Sequence, residues 1–117
     1  MGYEVQMVLL EKLHAADHKT ASFVGTIDLC CIDSELNDDI IKSESHGTDV
    51  EFYFPGVANN KTNCDLYGKK MKAFAAQEML NYLNKMGDYR RYKLARAVLA
   101  PFIESFGNDA YVACYGH

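Results

Sequence analysis

A helical periodicity of apolar residues over positions 62–107 constrains this fold more than any other feature of the chain. At about 100° per residue, the apolar side chains of this block fall on two broad arcs separated by Gly87 and Asp88. Thr62-x-x-Asp65 has the spacing of a capping box and predicts the start of a first helix there. Asp88 is placed to cap a second helix. The block therefore predicts a helical hairpin that buries both arcs.

Four stretches with strand character flank this hairpin, at about residues 3–10, 22–32, 49–54 and 109–115. The first also fits a helical stripe, but its early β-branched and aromatic residues favour a strand. The second is apolar on both faces, which predicts a central position in a sheet. The order is thus β-β-β-α-α-β. It predicts an α+β two-layer domain, with an antiparallel or mixed four-stranded sheet and the hairpin on one face.

Length and composition favour one domain that spans residues 1–117. The chain is 49% apolar and 24% charged, which is ordinary for a soluble globular protein. It shows neither a secretory signal nor an apolar run approaching the roughly 18 residues of a membrane span. We therefore expect a cytoplasmic protein without a membrane partner.

Cysteine and histidine spacing gives little support for a metal or a catalytic site. C-x-x-C is absent, and adjacent Cys30 and Cys31 would point to opposite faces of a strand. His14 and His18 could bind zinc together only if their segment were helical. Cys64, predicted at the start of the first helix, is the best-placed nucleophile, although an inert thiol is the simpler interpretation. We expect no cofactor and no metal.

Charge is distributed unevenly along the chain. Residues 1–60 hold eleven acids and three lysines, whereas residues 61–96 hold nine bases and three acids. The acidic part includes Asp38 and Asp39, which could mimic phosphates or dock on a basic protein. A solvated loop is the simpler interpretation of this acidic segment, and solvation of outer faces explains the overall asymmetry equally well. The alternative is a dipolar protein whose two poles bind different partners or further copies of itself.

The most distinctive part of the basic block is the run Tyr89-Arg90-Arg91-Tyr92-Lys93. Guanidinium groups match phosphate geometry, and tyrosine rings stack on bases. Helical geometry directs Arg90 and Lys93 outward and Tyr92 inward, with Arg91 at the edge of the apolar arc. Arg91 could lie along the core edge, pair with an acid or point into a ligand pocket. We take Tyr89, Arg90, Arg91 and Lys93 as candidate binding residues.

A second candidate surface is aromatic. If the helices cover one face of the sheet, Tyr53 and Tyr111, together with Phe52, Phe54 and Tyr115, could form a partly exposed aromatic surface on the other. Tyrosine-rich surfaces are common at protein interfaces. Ordinary cross-strand pairing accounts for the same residues. We take Tyr53 and Tyr111 as candidate contact residues.

These features favour a small non-enzymatic binding module or inhibitor that contacts another protein, a protein complex or itself. Small single-domain chains of this type include phage- and mobile-element-encoded inhibitors of host defence, such as anti-CRISPR proteins, and we carry that class as a hypothesis. The alternative is a binder of a phosphorylated small ligand or of nucleic acid through Arg90, Arg91 and Lys93. A pI of about 5.5 counts against a dedicated nucleic-acid binder.

Overall fold

The computed structural model describes residues 4–12, 20–31, 47–57, 60–85 and 90–117. These residues form seven β-strands, two α-helices and one 3-10 turn. In chain order the elements are β1 (Glu4–Lys12), β2 (Ala21–Cys31), β3 (Thr48–Asp49), β4 (Phe52–Tyr53), β5 (Lys61–Thr62), β6 (Lys72–Ala75), α1 (Ala76–Leu83), α2 (Arg90–Phe106), the 3-10 turn (Gly107–Asp109) and β7 (Ala110–Gly116).

Five of these strands form one sheet in the order β2-β1-β7-β6-β3, in which every neighbouring pair is antiparallel. β1 and β7 pair from Val5 opposite Gly116 to Glu11 opposite Ala110, so the first and last described strands lie side by side. β4 and β5 form a separate two-stranded ribbon. The predicted α+β fold is confirmed, with five strands in the main sheet of the described residues instead of four.

Both helices pack on one face of this sheet and form a first core with it. Val5, Met7 and Leu9 contribute alternate positions of β1 to this core, as period-2 geometry requires. α2 buries the arc that its sequence predicted, and Pro101 lies within the helix without ending it. The buried helical members of this core are Ala76, Met79, Leu83, Tyr92, Ala95, Leu99 and Phe102.

The opposite face of the sheet is covered as well, by the β4–β5 ribbon and its connections. Val8 and Leu10, the remaining apolar positions of β1, pack there against Phe52 and Phe54. A strand buried on both faces reads as a continuous apolar run. This explains why residues 5–10 also fit a helical stripe.

β2 lies at an edge of the main sheet, so its predicted central position is wrong. The second core covers only the start of β2, at Ala21 and Phe23, whereas Val24, Thr26 and Asp28 are exposed further along the strand. Its pairing with β1 shifts register twice, and one shift leaves Val24 as an extra residue between the pairs Leu9–Gly25 and Leu10–Phe23. The bulge reverses the alternation, so Phe23 packs on the second core and Ile27 on the first.

The predicted first helix is wrong over its first half. Thr62 ends β5, residues 72–75 form β6, and α1 begins only at Ala76. Met71 and Ala73 pack in the second core while Phe74 packs in the first, which is strand alternation that the helical arc also accommodated. The predicted third strand is also divided, into β3 and β4, around Val50 and Glu51.

The backbone conformation immediately before β3 requires a glycine, which is Gly47. Its φ is +84°, and a Cβ atom there would lie 2.7 Å from the backbone oxygen of Ala73 in β6. Only glycine allows this close approach at a left-handed backbone conformation. At the other end of the helical block, Gly107 has a φ of +57° where α2 gives way to the 3-10 turn, as a stop signal there predicts.

A candidate docking loop between the fifth and sixth strands

The basic run predicted as a binding site begins helix α2 in the described structure. Arg90 and Lys93 are exposed and Arg91 is half-buried, which matches the orientations expected from helical geometry. Arg96, one turn further, donates a hydrogen bond from Nη1 to the backbone oxygen of Leu83 at 3.0 Å and so joins α2 to α1. Tyr89 lies outside the described residues, as do Asp38 and Asp39.

The predicted aromatic surface is wrong for three of its five members. Phe52, Phe54 and Tyr115 are buried in the second core, where Phe54 contacts Tyr115 edge-on at 5.0 Å between ring centroids. Tyr111 is half-buried beneath the ammonium group of Lys12, which lies 5.0 Å from the ring centroid. Tyr53 is 51% exposed, on the outer side of the β4–β5 ribbon. Of the two candidate contact residues, Tyr53 is therefore exposed and Tyr111 is half-buried.

Exposed apolar side chains concentrate in one part of the described chain. Six large apolar side chains of the described residues are exposed, and four of these lie within residues 53–67: Tyr53, Val57, Leu66 and Tyr67. Leu66 and Tyr67 are the most exposed of all, at 66% and 60%. They form the tip of the 63–71 loop, which connects β5 to β6. Sequence reasoning placed Tyr67 on a buried helical arc and so missed this tip.

Backbone hydrogen bonds close the 63–71 loop as a tight hairpin. The Met71 amide donates to the Asn63 oxygen at 2.9 Å, and the Asp65 amide donates to the Lys69 oxygen at 2.9 Å. The Gly68 amide then donates to the Asp65 oxygen at 3.1 Å, which closes a four-residue turn. Gly68 has a φ of +81°, a conformation that glycine adopts without strain.

The side chain of Asp65 holds this turn from inside. Its Oδ1 atom accepts hydrogen bonds from the amides of Tyr67 and Lys69, both at 2.9 Å, and the residue is only 8% exposed. The Leu66 amide donates to the Gly116 oxygen at 3.1 Å, which joins the tip to the end of β7. Asp-x-x-Gly, with an aspartate that bonds backbone amides ahead of it, is a turn signature that the capping-box interpretation overlooked.

The tip carries positive charge beside its apolar side chains. Lys61 and Lys70 are exposed, and Lys69 is half-buried. Lys72, at the start of β6, is paired with Asp49 across the β3–β6 ladder. Since the carboxylate of Asp65 is buried in the turn, the exposed surface of this loop is basic and apolar.

The loop also shapes the electrostatics of the sheet beneath it. Burial raises the pKa of the Tyr115 phenol, and the negative charge of Asp65 raises it further. Burial raises the pKa of the Cys114 thiol to about 12, against the opposing effect of the Lys69 ammonium. Cys114 is therefore a neutral thiol packed against the first core.

Cys64 does not occupy the helix start that made it a candidate nucleophile. It forms a single antiparallel bridge with Lys70 at the base of the 63–71 loop, far along the chain from the start of α1 at Ala76. Its thiol donates to Asn63 Oδ1 at 3.2 Å. The predicted position of Cys64 at the start of a helix is therefore wrong.

A shallow cavity of about 150 Å³ opens at the base of the same loop. We call it the mixed-charge cavity, since two acidic residues and one lysine are among its lining residues. One wall comes from the segment that joins β3 to β4, and the other from the two strands of the loop. Its lining residues are Asp49, Val50, Glu51, Asn63, Lys70 and Met71.

Comparison of the chain with protein-family models, with curated proteins and with solved structures gives no significant match. Within the described residues, no three His, Cys, Asp or Glu side chains are grouped as metal ligands would be. Neither α1 nor α2 is long and apolar enough to cross a membrane. The candidate site thus rests on the geometry of the 63–71 loop.

Proposed function

We propose that this chain is a protein-binding module that docks through the tip of the 63–71 loop. One observation carries the proposal. Leu66 and Tyr67 are the most exposed large apolar side chains of the described structure, yet they lie on a turn held by backbone hydrogen bonds and by the buried carboxylate of Asp65. Exposed apolar side chains on a fixed backbone bind without the ordering cost of a flexible loop.

The composition of the tip supports a protein partner. Tyrosine is among the residues that dominate alanine scans of interfaces, and the exposed Leu66 next to Tyr67 in the chain adds apolar surface to it. The neighbouring lysines, Lys61 and Lys70, are placed to contact the polar rim of such an interface. A partner surface with an apolar pocket near carboxylates has the complementary chemistry.

The inhibitor hypothesis is the finer form of this proposal. A partner surface occupied by the tip is closed to nucleic acid or to another subunit, which is how a small non-catalytic chain can block a larger complex. The same proposal locates the interaction in the cytoplasm, where thiols such as Cys64 and Cys114 stay reduced.

Substitution of the tip should abolish partner capture without unfolding the protein. We expect Leu66→Ser together with Tyr67→Ser to lower the amount of captured partner at least tenfold, since interface anchors typically contribute about 2 kcal/mol or more. The measurement is quantitative mass spectrometry after affinity capture from the native host. Thermal unfolding by circular dichroism checks that the variant is folded.

Leu94→Ser is the matched control, because Leu94 is 51% exposed but belongs to α2 and not to the loop. It should capture the partner as the wild type does. A third variant, Arg90→Glu with Lys93→Glu, tests the alternative binding site at the start of α2. Loss of capture with that variant and not with the tip variant would contradict the proposal and favour the alternative.

A further inference from the structure

We infer that the occupant of the 63–71 loop is a second copy of this chain, bound through a two-fold contact between the mixed-charge cavities of the two copies. The inference rests on the proposed function, because it names the partner of the same loop. It is carried by the charges that the cavity presents and by the apolar tip beside them.

The cavity presents two opposite charges that are not paired with each other. Asp49 is neutralised by Lys72, but Glu51 and Lys70 take part in no ion pair within the described ranges, although both line the cavity. Glu51 is half-buried, and its backbone oxygen is fixed by the Ala21 amide at 3.2 Å. The backbone of Lys70 is held by its bridge to Cys64. The two residues therefore line one cavity from two different segments whose backbones are held in place.

A two-fold axis converts this arrangement into two ion pairs. In such a contact the same patch meets itself, so that Glu51 of one copy meets Lys70 of the second copy and the reverse contact forms as well. A patch of one sign would repel its own copy. A patch with both signs on facing walls is complementary to itself.

The tip supplies the apolar part of the same contact. Tyr67 lies three positions before the lining residue Lys70, and Leu66 lies three positions after the lining residue Asn63, so both lie within about 10 Å of the cavity along the loop. Large exposed apolar side chains flanked by charged groups reproduce the centre and the rim of a dimer interface. The net charge of −4 opposes self-association at long range, which makes local complementarity necessary for it.

Sedimentation equilibrium of the full chain and its charge-reversal variants tests the inference. The wild type should dimerise in the micromolar range. Lys70→Glu and Glu51→Lys should each weaken the dimer about tenfold or more, because each brings like charges together twice. An equimolar mixture of the two variants should recover the wild-type affinity as a heterodimer. Lys85→Glu and Glu104→Lys, exposed residues outside the cavity, match the changes in net charge and should leave the dimer unchanged.

A wild type that stays monomeric up to about 1 mM would overturn the inference, as would a mixture that does not recover. If a reversed variant fails to fold, Glu51→Gln and Lys70→Gln replace the pair, and unchanged dimerisation of both would again overturn it. The proposed function is tested separately by capture with the tip variant. A monomeric wild type whose capture of another protein depends on Leu66 and Tyr67 refutes the second copy as the partner but leaves the docking loop standing.

Discussion

Phe52→Ala should lower the free energy of unfolding by about 3–5 kcal/mol, the usual effect of truncating a fully buried phenylalanine. Phe52 is 0% exposed and lies 5.6 Å from Phe54 between ring centroids, in the core formed by the ribbon and the second face of the sheet. Urea denaturation followed by far-ultraviolet circular dichroism measures the change.

Tyr53→Ala is the neighbouring control for this prediction. Tyr53 is half exposed and points away from the second core, so its truncation should cost less than about 1 kcal/mol. A larger loss for Tyr53 than for Phe52 would show that the ribbon presents its other face to the sheet. The second core would then be wrongly assigned.

Asp65→Ala should lower the free energy of unfolding by about 1–3 kcal/mol, because it removes the acceptor of two backbone amides in a buried position. Asp65→Asn keeps an acceptor oxygen and should therefore lower the free energy of unfolding by a smaller amount. Hydrogen exchange of the Tyr67 and Lys69 amides measures the loss of these two hydrogen bonds directly. Their protection should fall in the alanine variant while that of β1 is retained in both.

Asp65→Ala also tests whether docking needs the fixed backbone of the loop as well as its apolar side chains. It retains Leu66 and Tyr67 but releases the turn that holds them, so partner capture should fall although both apolar side chains are present. Unchanged protection of the two amides in Asp65→Ala would show that backbone hydrogen bonds alone hold the turn. Unchanged capture would show that docking does not depend on a fixed loop.

Residue patterns predicted the fold class and the second helix because both follow from local periodicity. The apolar arc of α2 repeats over 17 residues, long enough for helical spacing to be unambiguous. Alternation likewise located β1 and β7. The edge position of β2 could not be predicted, since apolar residues such as Val24 also occur on its second face, and only the structure shows that this face is exposed there.

Irregularities of the backbone caused the other errors. The bulge at Val24 places Phe23 on the opposite face of the sheet from Ile27. The pattern of alternating residues in the sequence does not show where such an extra residue is inserted. Residues 71–75 fit both a helix and a strand, and the pairing of β6 with β7 and with β3 distinguishes them. The candidate site was missed for the same reason, because assigning residues 62–75 to a helix hid the turn formed by Asp65 and Gly68.

Site-specific photo-crosslinking tests the docking loop most directly. A benzophenone amino acid placed at Tyr67 should crosslink the bound partner in the native host, whereas the same group at Leu94 should not. The mass of the adduct then identifies the partner as a second copy or as another protein. Crosslinking at position 94 with none at position 67 would contradict the claim that this protein binds its partner through the tip of the 63–71 loop.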